Sequence, residues 1–471
     1  MKRTAKAIFS ILISIFIAVS ILPVCSFATE PDIDAVIEER KNIPIESNSI
    51  PSWPVGPQTN AQSAMLIEAK TGIVLYEKNV HERLYPASIT KILTALIAYE
   101  HCDMDEEVTF SYEAVSSIDW RYDANMGINA GDKITMEQAL HGMLVGSANE
   151  AAYAIAEHVA GSVEDFADLM NEKAASLGCT DSHFVTPNGI HDENHYTSAH
   201  DMALITQAFF SNDFLAKISG TPSYKVPKTA TQPNDEMVVY AKSKLFPNKE
   251  YAYEGLIGTK TGYTESARQT LVSCAERDGL KLISVVMKDE APYQYTDTIE
   301  LFNYGFSNFV TFRIADKDLR YVISSSNLFD TKNDIFGSSD PILEINPLDE
   351  IILPVGTDLD NTESKVVYDD LNDNEIARIN YYYSGTYVGN ASVIPCKSLI
   401  QTPGLGDDTI SDEDDNNGPV YINIYKLLGI VILTAFVLSL VFMLISFIRG
   451  GKRRKKNKPS VNNSKNLIKF K

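Results

Sequence analysis

Apolar and polar positions along this chain follow two different periods, and the change of period divides it. After a stretch rich in Pro, Ser, Asn and charge, Met65-Leu66-Ile67 and Ile73-Val74-Leu75 flank Lys70-Thr71-Gly72, which predicts a β-hairpin from Ala64 to Tyr76. Helical spacing then takes over from Ser88 to about Leu204. Ile89, Ile92, Leu93, Leu96 and Ile97 form one apolar stripe. Thr135 with Gln138 makes a capping box that opens a helix to about Val145. Gly146 interrupts it, and a second amphipathic helix runs on to about Val159 and closes at Gly161. Gln269 to Ala275 and Lys281 to Met287 are β-like runs joined by Asp278-Gly279, a compact hairpin signal. Strand, helices and strands again predict an α+β domain with an antiparallel sheet flanked by helices, over residues 61–308. From 309 to 400 short β-like runs, among them Arg320 to Ser324, Ile351 to Pro354 and Ile379 to Tyr383, alternate with Gly, Asp and Asn turns and predict a small β-rich domain.

The two ends read differently. Basic residues precede an apolar run from Ala7 to Val24 and a small-x-small pattern at Ser26-Phe27-Ala28, so residues 1–28 are expected to be a secretory signal peptide. Residues 29–60 are expected to be an extended leader. Residues 401–426, with Asp412-Glu413-Asp414-Asp415, read as an acidic linker. Leu427 to Ile448 is uncharged and long enough to span a bilayer, and residues 449–471 are strongly basic. The positive-inside rule puts that tail in the cytoplasm and the preceding domains outside the cell, on a single-pass membrane anchor.

The net charge of −21 is uneven, because all 62 acidic residues lie between Glu30 and Asp415. Such a surface argues against nucleic acid as a partner, since phosphate binding needs a basic face. Beyond the leader, Cys102, Cys179, Cys274 and Cys396 show no metal-ligand spacing, so no metal or other cofactor is expected and no disulfide pairing can be derived.

Three short motifs carry candidate chemistry. Ser88 and Lys91 lie three apart on the face opposite the apolar stripe, beside the small Ala95 and Ala98. A neutral lysine there can take the hydroxyl proton. Its pKa must fall from about 10.4 towards 7, at a cost on the order of 4–5 kcal/mol, and burial with a second nearby cation can supply that shift. An isolated Ser-x-x-Lys is more often a helix cap with a snorkelling lysine, but this is the only one in the chain. Ser147-Ala148-Asn149 falls where two helices meet, able to face a cleft. Lys260-Thr261-Gly262 precedes a β-like run: a cation and a hydroxyl on a strand edge suit a substrate carboxylate, and glycine permits close backbone approach. Lys70-Thr71-Gly72 has the same letters but is assigned to the hairpin turn.

In this order, Ser88-Ile89-Thr90-Lys91, Ser147-Ala148-Asn149 and Lys260-Thr261-Gly262 resemble the signatures of the penicillin-recognising serine enzymes, and among them most nearly the D-alanyl-D-alanine carboxypeptidases, the low-molecular-mass penicillin-binding proteins. Tyr85-Pro86-Ala87, Asn188-Gly189-Ile190, Ser198-Ala199-His200-Asp201 and Gly258-Thr259 extend the likeness. It covers roughly Ala61 to Phe309, with weaker similarity from Ala377 to Val393. The resemblance implies a β-lactamase/transpeptidase-like fold with a helical subdomain. It also implies that Ser88 attacks the carbonyl between two terminal D-alanines of a peptidoglycan peptide, with Lys91 as general base. Ser147 would relay a proton to the leaving amine, Asn149 would hold the peptide, and Lys260 and Thr261 would engage the carboxylate. Backbone N–H groups of Ser88 and Tyr263 would form the oxyanion hole, and β-lactam antibiotics would acylate the same serine. Two departures stand out. Glu68 replaces an expected Asp, and the stretch from Asp289 to Asp297 lacks an arginine found in many relatives. Carboxylate recognition is therefore expected to rest on Lys260, Thr261 and Arg268. A D,D-endopeptidase or a β-lactamase would use the same residues. The β-lactamase alternative is weakened because no Glu-x-x-x-Asn lies between Ser147 and Lys260.

Overall fold

A computed structural model of the protein describes residues 32–233, 237–318 and 343–395, except Asp370 and Asp373. The predicted signal peptide, acidic linker, membrane span and basic tail lie outside the described residues, as do Cys25, Cys396 and the β-like run from Arg320 to Ser324. Among the described residues no helix is long and apolar enough to cross a membrane.

The leader differs from its expected extended form. Its first turns fold as helix α1 (Ile33–Lys41), capped by Asp32 and ended by Arg40 and Lys41, a charge order that complements the helix dipole. Its later part is held by Trp53, buried with its Nε1 donating to the Leu75 carbonyl at 3.0 Å.

The predicted hairpin is β1 (Ser63–Glu68) with β2 (Val74–Lys78). Two small two-stranded antiparallel sheets follow, β3 (Glu107–Thr109) with β4 (Lys133–Thr135) and β5 (Ser223–Val226) with β6 (Met237–Tyr240). Then come β7 (Leu256–Thr264), β8 (Arg268–Arg277) and β9 (Leu280–Asp289). The main sheet is antiparallel, in the order β2-β1-β9-β8-β7, which leaves β7 at an edge. Asp278 and Gly279 both take positive φ in the β8–β9 turn, the conformation a two-residue hairpin needs.

Both faces of this sheet are covered, and the pleat sorts the side chains. Met65, Ile67, Val272, Cys274, Ile283 and Val285 join a core shared with α2 (Lys91–His101), α3 (Met136–Val145), α4 (Asn149–Ala160), α5 (Val163–Ser176) and α6 (Ala199–Phe210). Their neighbours Leu66, Leu271, Leu282 and Val286 point the other way, into a second core with Leu301 and Phe302 of α7 (Tyr293–Asn308). That second core continues into another antiparallel sheet. Its strands are β10 (Phe309–Arg313), β11 (Leu343–Ile345), β12 (Glu350–Pro354), β13 (Glu363–Val367), β14 (Ala377–Tyr383) and β15 (Thr386–Pro395), in the order β10-β12-β15-β14-β13 with β11 on β15. The chain is thus a mixed helix and sheet fold with antiparallel sheets. Helix α2 is buried from Lys91 to Ala98, so its first residue, a lysine, starts inside the protein.

Candidate active site

Ser88 lies in a 3-10 turn (Ala87–Thr90) that runs directly into α2. The turn is fixed from several sides. Thr270 on β8 donates its Oγ1 to the Pro86 carbonyl at 2.8 Å, and Thr90 Oγ1 donates to the Ala87 carbonyl at 2.8 Å. His195 Nδ1 accepts the Val185 and Thr186 N–H groups at 3.0 and 3.2 Å, which leaves its Nε2–H to donate to Thr90 Oγ1 at 2.9 Å. Burial lowers the His195 pKa to about 4, so the ring is neutral in this role. Ala87 itself takes φ +51°, an uncommon conformation for a residue with a Cβ, and Ser147 takes φ +61°. Two such residues at one site mark backbone held by its surroundings.

One helical turn on, Lys91 Nζ stands 2.9 Å from Ser88 Oγ, and it donates to Asn149 Oδ1 at 2.7 Å and to the Asn188 carbonyl at 2.9 Å. Lys91 has no exposed surface. Burial first, and the Lys260 cation second, hold its pKa well below the ordinary lysine value, against smaller opposing pulls from Glu150 and Asp123. Lys260, on edge strand β7, donates to Ser147 Oγ at 3.0 Å and to the Thr261 carbonyl at 2.8 Å. It too is buried, and that burial with the Lys242 charge nearby brings its pKa to about 7. Two hydroxyls are therefore each paired with a lysine that has little hold on its proton.

Gly262 lets the strand approach the serine turn. A Cβ there would stand 2.3 Å from Thr270 Oγ1, 2.9 Å from the Ser88 backbone N and 3.0 Å from the Pro86 carbonyl oxygen. Gly189 does the same on the opposite wall, where a Cβ would meet the Ala87 carbonyl oxygen at 1.9 Å.

These residues open onto a cleft of about 380 Å³ lined by Ser88, Tyr122, Asp123, Ala124, Ser147, Asn149, Gly189, Ile190, Lys242, Thr261, Gly262, Tyr263, Thr264, Gln269 and Tyr295. Ser88, Ser147, Asn149, Thr261, Gly262 and Tyr263 are thus brought together, with Lys91 and Lys260 directly behind them. Tyr263 keeps about half its surface exposed at the mouth. Arg268 is not among the lining residues. Its guanidinium is engaged by the nearly buried Glu290, at 3.0 Å from Nε, and Arg40 of α1 reaches the same carboxylate at 3.3 Å. The structure therefore does not place Arg268 where the sequence expectation needs it, because a nearby carboxylate has already taken its charge.

The exposed Lys242, just after β6, had no motif to reveal it. It lines the cleft with no hydrogen-bond or ion-pair partner among the described residues. Asp123 on the opposite lip was equally silent. Away from the cleft, Cys102, Glu106 and His158 lie with donor atoms within 4.8 Å of one another; there Glu106 binds His158 Nε2 at 2.9 Å, beside Cys102. Cys102, Cys179 and Cys274 are all free thiols.

Comparison with known proteins agrees with this geometry. A relative from Bacillus subtilis (strain 168), D-alanyl-D-alanine carboxypeptidase DacF, is 33% identical over 257 residues, 53% of this chain and 63% of the relative. D-alanyl-D-alanine carboxypeptidase DacB2 of Mycobacterium tuberculosis is 31% identical over 281 residues, 58% of this chain and 88% of that one. The crystal structure of the Streptomyces K15 DD-transpeptidase superposes with a TM-score of 0.50 at 27% identity, over 54% of this chain and all of that one. Penicillin binding protein 6B from Escherichia coli shares the fold, with a TM-score of 0.55 at 23% identity over 74% of this chain and 98% of its own. The family model for D-alanyl-D-alanine carboxypeptidase matches residues 50–291, and with the two lysine-paired serines in one cleft, the chain belongs to that family of serine-type peptidases.

Proposed function

We propose that this protein removes the terminal D-alanine from peptidoglycan pentapeptides through an ester on Ser88, and that penicillins acylate the same oxygen. The observation that carries the reading is the hydrogen-bond pattern of Lys91. A neutral amine has two N–H donors and one lone pair. Two carbonyl oxygens, Asn149 Oδ1 and the Asn188 carbonyl, accept its donors, so the lone pair is left for the Ser88 hydroxyl 2.9 Å away.

In the first step the Ser88 proton passes to Lys91 Nζ as Oγ bonds to the carbonyl carbon of the penultimate D-alanine. The Ser88 and Tyr263 backbone N–H groups would stabilise the developing oxyanion, a contribution of about 3–4 kcal/mol where one such donor has been removed elsewhere. The C–N bond then breaks as the proton held on Lys91 passes through Ser147, which Lys260 backs at 3.0 Å, to the leaving amine, so that Lys91 is neutral again. Water cleaves the ester, its proton passing to Lys91 and back to Ser88. The α-carboxylate of the leaving D-alanine would lie against Thr261 and the free ammonium of Lys242, the cation that takes the place expected of Arg268.

The same reading puts this domain outside the cell, exported by residues 1–28 and held to the membrane by residues 427–448, with residues 449–471 inside. The apolar runs and the basic tail support it. Incubating the extracellular portion with a soluble pentapeptide muropeptide tests the activity: free D-alanine and a tetrapeptide are expected, with a mass adduct on Ser88 after penicillin treatment. Cleavage of cross-linked dimers in preference to pentapeptide would make the protein an endopeptidase, and rapid hydrolysis of penicillin would make it a β-lactamase.

A further inference from the structure

Glu150 has no part in the motifs, yet it occupies an unusual place. It follows Asn149 at the start of α4 and is fully buried. Its Oε1 accepts the Met126 N–H at 2.6 Å, while its Oε2 is buried with no hydrogen-bond partner. Met126 belongs to the loop whose Tyr122, Asp123 and Ala124 form one lip of the cleft, and the Asn149 N–H donates to the Ala124 carbonyl at 2.8 Å. Two adjacent residues of α4 thus hold the lip from below. One of them, Asn149, also holds Lys91.

A buried carboxyl oxygen without a hydrogen-bond partner is unfavourable, and a tether made only for stability need not carry one. Burial raises the Glu150 pKa to about 7, with surrounding backbone N–H groups and then Lys91 pulling it back, so the group changes charge near neutrality. The charged groups acting on Lys91 are Lys260, Glu150 and Asp123, and of these Glu150 is the buried anion on the helix that carries the lysine's own partner.

We propose that Glu150 is a positioning residue for this site: its carboxyl fastens the cleft lip to the helix bearing Asn149, and its negative charge, when present, acts on Lys91. The inference rests on the reading of Lys91 as the base for Ser88. Without charge on Glu150 the lysine loses its proton more readily; without the tether both Asn149 and the lip lose their register.

The test compares Glu150→Gln with Glu150→Ala in the second-order rate of penicillin acylation and in kcat/KM for a pentapeptide, each as a function of pH. The glutamine keeps an acceptor for Met126 but removes the anion. Its acid limb is expected to move to lower pH by about half a unit or more, while alanine lowers acylation about tenfold or more at every pH. A purely structural residue would not move the limb. An acid limb for the glutamine variant within about 0.2 units of wild type overturns the proposal, even if the alanine variant fails to fold. Absence of acylation in the wild-type protein would instead refute the proposed function itself, so the two failures are distinguishable.

Discussion

Lys91 Nζ is held 2.9 Å from the backbone carbonyl of Asn188, a residue nearly a hundred positions further along the chain. A main-chain oxygen cannot be removed by substituting a side chain and cannot ionise, so it is a durable acceptor for a neutral amine. It also fixes which direction the lysine lone pair faces. The partner in that direction is Ser88. Ser88→Ala is expected to abolish both D-alanine release and covalent penicillin labelling while leaving the fold intact, since half-buried Ser88 contributes little to the core. Labelling that survives in this variant, seen by intact mass, refutes the nucleophile assignment.

Lys91→Arg should be nearly as damaging as loss of the serine. Arginine stays charged at any working pH and has no lone pair to offer. Its planar fork must also fit where a primary amine reaches two carbonyls at 2.7 and 2.9 Å. Acylation is expected to fall by at least about a thousandfold, a loss within the roughly 100- to 10,000-fold usual for general-base catalysis. A stopped-flow rate within tenfold of wild type would contradict the base assignment.

Asn149→Asp gives a sharper reading, because it changes charge at nearly constant shape. The new carboxylate would lie against Lys91 Nζ, where the amide oxygen now stands at 2.7 Å. An anion there favours the charged lysine, so the lysine pKa rises and the acid limb of acylation moves to higher pH, by about 1–3 units. The direction is opposite to that expected for Glu150→Gln. Profiles that shift the same way would mean that charge at Lys91 does not govern the limb.

What could be read from the chain beforehand follows from distance along it. Ser88 with Lys91 was legible because three residues make one helical turn, and Ser147 because Gly146 and the capping box at Thr135 fix where two helices meet. The hairpins at Lys70-Thr71-Gly72 and Asp278-Gly279 were legible for the same local reason. Lys242, Asp123 and Glu150 were not. The first two sit on loops with no periodicity, and the third looks like any acidic residue in a first helical turn until tertiary packing buries it. Arg268 was misplaced because sequence shows a cation but not the carboxylate of Glu290 that neutralises it. The leader was read by composition, which hid the Asp32 cap and the buried Ile37 that make α1 a helix.

Gly262→Ala tests the strand approach independently of charge. The added methyl would meet Thr270 Oγ1 at 2.3 Å and the Ser88 backbone N at 2.9 Å, so either β7 retreats or the serine turn shifts. Displacement of about 1 Å at a nucleophile costs on the order of a hundredfold in rate. Acylation should drop accordingly with little loss of secondary structure by circular dichroism. A rate close to wild type would show that strand and serine need not approach this closely.

Lys260 also joins the site to the stability of the fold. Its folded pKa is about 7, against an ordinary lysine value of 10.5. Between those values the unfolded chain binds a proton that the folded chain does not, so this residue makes unfolding harder as pH rises. The contribution is complete only above the unfolded value, is lost as pH falls towards 7, and is flat below it. Lys91 adds a term of the same sign. Buried thiols oppose it at higher pH, since burial raises Cys179 and Cys274 to about 12, so the comparison belongs between pH 7 and about 8.5, where Glu150 at about 7 and Lys78 at about 8 also titrate, in wild type and variant alike. Urea unfolding of wild type and Lys260→Met in that window should show a smaller rise of stability with pH in the variant, by an amount approaching one proton. Parallel lines would mean that Lys260 is fully protonated in the folded state.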